Sequence, residues 1–224
     1  MNPVSARSAL DAIAAAFDCS PPVAEVAAAQ ARLANFPARA TIIDRETAGD
    51  RLFLVIEGHA RLLAYAFDGR LLLVEDFWKG DLFGEGALLA EAMIADEVAA
   101  VDEVSTAIFL SHVMVGLMSA HSSISLAVSR LLVARLSALT RRLVEGATLS
   151  ATGRIHAEIL RRARASENMS IRPAPVHSEL ALHVSSTRET VSRTINALLR
   201  RGIVKREGEA LTVVAPHRLE ELVF

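Results

Sequence analysis

The stretch SSTRETVSRTINALLRRGI, residues 185–203, decides how this chain is read. Val191, Ile195 and Leu198 recur at helical spacing and predict one buried face. With Val191 at zero, Glu189, Ser192, Arg193 and Asn196 fall at about 100–200 degrees, on the opposite face. Arg188 stands at the boundary in the first turn, and Thr187 is placed to cap the helix start. A face of this composition suits a helix that enters the DNA major groove. There Arg donates two hydrogen bonds to guanine O6 and N7, and Glu accepts one from cytosine N4. Arg200, Arg201, Lys205 and Arg206 follow, suited to phosphates. The plain alternative is a solvated face carrying a Glu189–Arg193 helical ion pair.

The flanking sequence favours the groove-binding reading. Upstream, IRPAPVHSELALHV (171–184) predicts an extended entry over its two prolines, then a short helix from Val176. Before it, RIHAEILRRARAS (154–166) reads as a helix. Downstream, GIVKREGEALTVVAP (202–216) reads as a hairpin turning near Gly208. Helix, helix, helix, hairpin is the order of a winged helix-turn-helix. LSATGR (149–154) is a hinge candidate, where Thr152 and Gly153 break the pattern.

Further upstream, SSISLAVSRLLVARLSALTRRLVE (122–145) predicts one long helix. Val128, Leu132, Leu136 (or Arg135), Leu139 and Leu143 form a narrow seam at three- and four-residue steps, flanked by Arg130, Arg135, Arg141 and Arg142. Such a seam suits a two-stranded coiled coil and hence a homodimer. The alternative packs the helix on its own barrel. Between Phe36 and about Leu110, RLFLVIEG, HARLLAYAF, RLLLVEDF and VSTAIFL are short β-like runs separated by Gly and Asp turns. They predict a small antiparallel barrel or roll. Residues 5–35 predict Ala-rich helices.

Composition bounds the function. The 224 residues suit two small domains, and 52% hydrophobic content is enough for real cores. One cysteine, Cys19, excludes an intrachain disulfide and an iron–sulfur cluster held by several thiolates. A reducing cytoplasm fits. Asp11 and Asp18 interrupt the apolar run near the start, so no secretory signal is read. Residues 104–129 lack charged side chains and are long enough to span a bilayer, but their serines, Gly116 and two histidines favour a strand and helices instead. No membrane association is expected. The net charge of −2 divides into −6 over residues 1–149 and +4 over 150–224, so the back half is the part suited to a polyanion. No nucleophile with a matched base, phosphate loop or paired-histidine zinc motif is present, which argues against an enzyme.

SSTRETVSRTINALLRRGIV (185–204) closely resembles the recognition helix of the CRP/FNR transcription regulators, the cyclic-AMP receptor protein and its relatives. FPARATIIDRETAGDRLFLVIEGHARLL (36–63) resembles the first half of their β-roll, KGDLFGEGALLA (79–90) their ligand-cassette turn, and TGRIHAEILRR (152–162) their hinge and first DNA-domain helix. The resemblance implies an α+β chain. A cyclic-nucleotide-binding-like antiparallel β-roll with N-terminal helices would fill 1–120, a dimerisation helix and hinge 121–149, and a winged helix-turn-helix 150–224. By position, Arg188, Glu189 and Arg193 match the base-reading residues of the cyclic-AMP branch, and Glu189, Ser192 and Arg193 those of the oxygen-sensor branch. A two-fold site with a TGA-like core in each half is implied, with RNA polymerase a partner if the protein activates. One departure stands in the turn, where the usual glycine is Ser185.

In the implied effector pocket, Gly84 and Glu85 are present, Glu85 where the family binds a ribose hydroxyl. The Arg-Ser pair that meets the cyclic phosphate is replaced by Ala95 and Asp96, followed by Glu97. A carboxylate there repels a phosphate. Arg135 and Thr140 resemble positions near the nucleotide. Cyclic AMP is therefore not expected as the switch. Haem is not expected either, since His59, His112 and His121 each read as an ordinary surface or capping residue. The effector stays open. Two other readings also stay open: a regulator without a ligand, controlled by abundance, and a cyclic-nucleotide-like module whose winged helix contacts protein.

Overall fold

The computed structural model describes residues 5–44, 49–65, 71–89 and 97–223. Its contacts divide the chain into two compact units, residues 1–135 and 136–224.

The first unit opens with helices α1 (Ala6–Ala16) and α2 (Pro21–Ala29). Ser5 caps α1 by accepting the Ser8 N–H at 3.1 Å, and Pro21 opens α2, where its missing N–H costs no helical bond. Among the described residues eight strands follow: β1 (Arg32–Phe36), β2 (Thr41–Asp44), β3 (Arg51–Glu57), β4 (Ala60–Tyr65), β5 (Leu71–Phe77), β6 (Leu82–Phe83), β7 (Glu97–Ala100) and β8 (Val104–Leu110). They form two four-stranded antiparallel sheets, in the orders β1-β8-β3-β6 and β2-β7-β4-β5. This is the expected roll. It starts earlier than Phe36, because Arg32–Phe36 pair along Val104–Ile108.

Strand β3 shows how the roll is organised. Leu52 to Ile56 are all buried, although a sheet facing water on one side would alternate. Leu52, Leu54 and Ile56 join the core beneath the helices, and Phe53 and Val55 the core between the sheets. In the second core Phe83 stacks between Phe53 and Phe77, with centroids 5.0 and 4.9 Å away. Helix α3 (Ser111–Ala120) then leads into α4 (Ser122–Thr148), which begins in this unit and ends in the next. Helix α4 is long and apolar enough, by length and composition alone, to cross a membrane. Its core-facing residues, Ile124 and Val128, are instead packed against the roll. Val128 is only 2% exposed there, which corrects its assignment to the seam.

The second unit holds α5 (Ala151–Arg164), β9 (Ser170–Ile171), α6 (His177–His183), α7 (Arg188–Arg200), β10 (Val204–Glu207), β11 (Ala210–Val213) and α8 (Pro216–Glu220). The strands form a sheet in the order β10-β11-β9, and Gly208 makes the hairpin turn. The third strand, Ser170–Ile171, lies just before the two prolines of the segment expected to be extended. Helix α5 starts before Arg154, at Ala151, because Ser150 accepts the Gly153 N–H at 3.0 Å and caps it. The break is thus confined to Leu149 and Ser150, and Gly153 is helical and buried. Ile155, Ile159, Leu160 and Ala163 of α5 pack with Leu180, Val191, Ile195 and Leu198 of the helix pair α6 and α7. Buried His156 lies with Nδ1 2.8 Å from the Leu222 carbonyl oxygen, and burial holds its pKa below the ordinary value.

Candidate DNA-reading helix and effector pocket

Helix α7 begins as its sequence predicts. The Thr187 hydroxyl accepts the Thr190 N–H at 3.2 Å, and Val191, Ile195 and Leu198 are buried together with Thr194. Thr187, Arg188, Glu189, Arg193, Asn196 and Arg200 are exposed, and Ser192 is half-buried beside them. The residues singled out for bases thus share one outward face. The Glu189 carboxyl is held below the ordinary carboxylate range, first by its own backbone N–H and then by the Thr187 hydroxyl. At the start of a helix the peptide dipole favours the same charge state, so Glu189 presents an anion that can only accept hydrogen bonds. Lys205 is engaged with Glu207 at 2.7 Å on the wing, an exposed pair that leaves its charge less free for phosphate than that of Arg200.

The turn before α7 carries the departure seen in the sequence. Ser185 adopts φ 48°, the left-handed region that favours glycine. For a serine this costs about 1 kcal/mol or more. Hydrogen bonds hold the turn: Ser186 N–H donates to Ala181 O at 2.9 Å, and the Arg154 guanidinium donates to the Val184 and Ser185 carbonyls at 2.9 and 3.3 Å.

In the roll, Gly84 turns with φ 84°, and a Cβ there would lie 2.6 Å from the Arg51 carbonyl oxygen, so only glycine fits. The turn delivers Glu85 to Arg135. Arg135 Nη1 is 2.6 Å from Glu85 Oε1, its Nε donates to Glu75 Oε1 at 2.9 Å, and its Nη2 donates to the Leu82 carbonyl. The guanidinium also lies over the Phe77 ring, 5.1 Å from the centroid. The structure therefore brings Gly84, Glu85 and Arg135 together and adds Glu75, which the sequence reading missed. No sequence signal singles it out, since Glu75 and Asp76 together simply end the apolar run LLLV. Arg135 is mostly covered, its side chain 11% exposed and turned to the roll, which sets it apart from the exposed leucines of the proposed seam. Thr140 is exposed and belongs to the second unit. Ala95 and Asp96 lie outside the described residues. Glu97 accepts a hydrogen bond from the Thr41 hydroxyl at 2.7 Å.

His59 is not a surface residue. It is 6% exposed, with Nε2 2.7 Å from Asp76 Oδ1 and its ring stacked 3.8 Å from that of Trp78. Arg61 donates to the same Asp76 oxygen at 2.8 Å. Its polar contacts explain why a histidine is tolerated at a buried strand end. His112 is exposed, and the His121 carbonyl accepts the Ile124 N–H at the start of α4. Among the described residues no three His, Cys, Asp or Glu side chains gather as a metal site.

Residues 33–121 match the family model of the cyclic nucleotide-binding domain, and residues 153–222 that of the Crp-like helix-turn-helix domain. The cAMP-activated global transcriptional regulator CRP of Pasteurella multocida is 25% identical over 80% of this chain and 88% of its own length. The cAMP-activated global transcriptional regulator Vfr of Pseudomonas aeruginosa is 28% identical over 80% and 87%. Among solved structures, a CRP/FNR-family transcriptional regulator of Thermus thermophilus, 25% identical, superposes with a TM-score of 0.61 over 86% of this chain and 98% of its own. A CooA variant of Carboxydothermus hydrogenoformans, 18% identical, shares the fold with a TM-score of 0.79 over 89% and 90%. The two matched domains, their order along the chain and the winged helix with its outward polar face agree: the chain belongs to the CRP/FNR family of DNA-binding transcription regulators, which are not enzymes.

Proposed function

We propose that the protein acts in the cytoplasm as a homodimer that reads a palindromic DNA site with TGA-like half-site cores. Glu189, Arg193 and Arg188 contact bases, helped by Ser192 and Asn196, while Thr187 and Arg200 hold the backbone. Leu132, Leu136, Leu139 and Leu143 of α4 form the dimer seam. If the protein activates transcription, RNA polymerase is a further partner. The observation that carries this reading is the exposed Arg, Glu and Asn face of α7, with half-buried Ser192 beside it, opposite its buried Val191, Ile195 and Leu198.

The roll is proposed not to use cyclic AMP, haem or an iron–sulfur cluster. In support, Arg135 already engages Glu85, the carboxylate that the family directs at a ribose hydroxyl. The same contact favours a second reading, a regulator that needs no small molecule and is controlled by its abundance. The DNA reading is tested with a duplex selected from a random pool. Glu189→Ala should relax preference at one base pair per half-site by about 1–3 kcal/mol. Arg200→Ala should weaken all duplexes alike and lower the salt slope. Equal effects of both changes on selected and random DNA would contradict base reading by α7.

A further inference from the structure

Arg154 stands in the first turn of α5 and donates three hydrogen bonds to backbone carbonyls. Nε reaches Val184 O at 2.9 Å, Nη1 reaches Leu149 O at 3.0 Å and Nη2 reaches Ser185 O at 3.3 Å. Every acceptor lies at a helix C-terminus. Leu149 directly follows α4, and Val184 and Ser185 directly follow α6. Such carbonyls lack a partner within the helix and carry the negative end of its dipole. A planar guanidinium presents several donors in one fixed fork, so one side chain closes both helix ends together. One of those ends is the turn that aims α7, and it is the turn in which Ser185 holds a left-handed backbone without being glycine.

We propose that Arg154 is a positioning residue for DNA reading: it ties the α6–α7 turn to the C-terminal end of α4 and so sets the direction of α7 from the end of the long helix. This rests on the reading of α7 as the base-contacting helix and of α4 as the dimer seam. In a two-fold dimer that direction governs the separation of the two α7 helices. Arg154 therefore acts on the spacing between half-sites and leaves the base preference within each half-site alone.

The test uses a duplex selected by the unmodified chain from a random pool, together with versions carrying one base pair more or fewer between the half-sites. The unmodified chain should lose about tenfold or more in affinity for the altered spacings. In Arg154→Gln, which cannot hold all three carbonyls, that discrimination should shrink to about threefold or less. Base preference and salt slope should stay the same, because Arg154 meets no phosphate. Adding Ser185→Gly, which relieves the left-handed turn, should restore part of the spacing discrimination; lost packing elsewhere would gain nothing from a glycine there. Circular dichroism shows whether each variant is folded, and Arg154→Lys, with its charge but not its fork, serves for the same comparison if Arg154→Gln is not. Unaltered spacing discrimination in a folded variant would overturn the proposal. So would a reduced salt slope, which would put Arg154 on a phosphate. An unmodified chain that selects no duplex would instead remove the DNA reading on which the proposal rests.

Discussion

Arg135 answers two carboxylates with one positive charge. Glu75 and Glu85 both lie within 3 Å of its guanidinium, and each side chain is only 30% exposed. Replacing Arg135 with Met keeps much of the stem and removes the charge, leaving two like charges facing each other. The expected loss is about 2–3 kcal/mol, at or below the low end for a broken buried pair because water reaches both acids. Urea unfolding followed by the fluorescence of the single Trp78 measures it. A variant as stable as the parent would remove this bridge as a source of stability. Glu85 was legible in the sequence because a Gly-Glu turn marks it. Glu75 was not, since one acid in a strand reads as a solvent-facing residue until the helix that supplies its partner is in place.

Helix α4 shows the limit of periodicity at the scale of an element. Its core face runs through Ile124, Val128 and Arg135, and the adjoining face exposes Leu132, Leu136, Leu139 and Leu143. Leu136 and Leu143 are 65% and 74% exposed, more than a lone helix face keeps apolar without a partner. Leu126, Val133 and Val144 widen the exposed arc. Leu132→Glu together with Leu139→Glu should dissociate the dimer, because buried unpaired charges would face each other across the seam. Sedimentation that still shows a dimer would remove this interface. The three- and four-residue steps run unbroken from Val128 to Leu143, yet Val128 faces the roll while Leu132, Leu136, Leu139 and Leu143 are exposed. Two apolar faces of one helix share such spacings where they meet, and only the packed sheet separates them.

For the whole molecule, the relatives named as cAMP-activated and the chemistry of this roll point in different directions. Arg135 engages Glu85, and Ala95 and Asp96, followed by Glu97, stand in sequence where the resemblance puts the residues that meet a phosphate. A ligand shifts a conformational equilibrium only by its differential affinity for the two states, so a nucleotide that barely binds shifts nothing. Titration calorimetry with cyclic AMP and cyclic GMP should show no binding at low micromolar concentration, and DNA affinity should be the same with either. Tight binding with a large rise in DNA affinity would sink this expectation. Local patterning by itself determined much of the molecule: the β runs, the long helix, the capped α7 with its buried and outward faces, and the hairpin at Gly208. Each of these rests on side-chain period or on a turn residue, which neighbours in sequence are enough to specify. Tertiary structure alone decided that β3 is buried on both faces, that His59 meets Asp76, that Arg135 bridges Glu75 and Glu85, and that Arg154 closes two helix ends. Those contacts join residues far apart in the chain, and a polar side chain finds its partner only after the surrounding elements have packed.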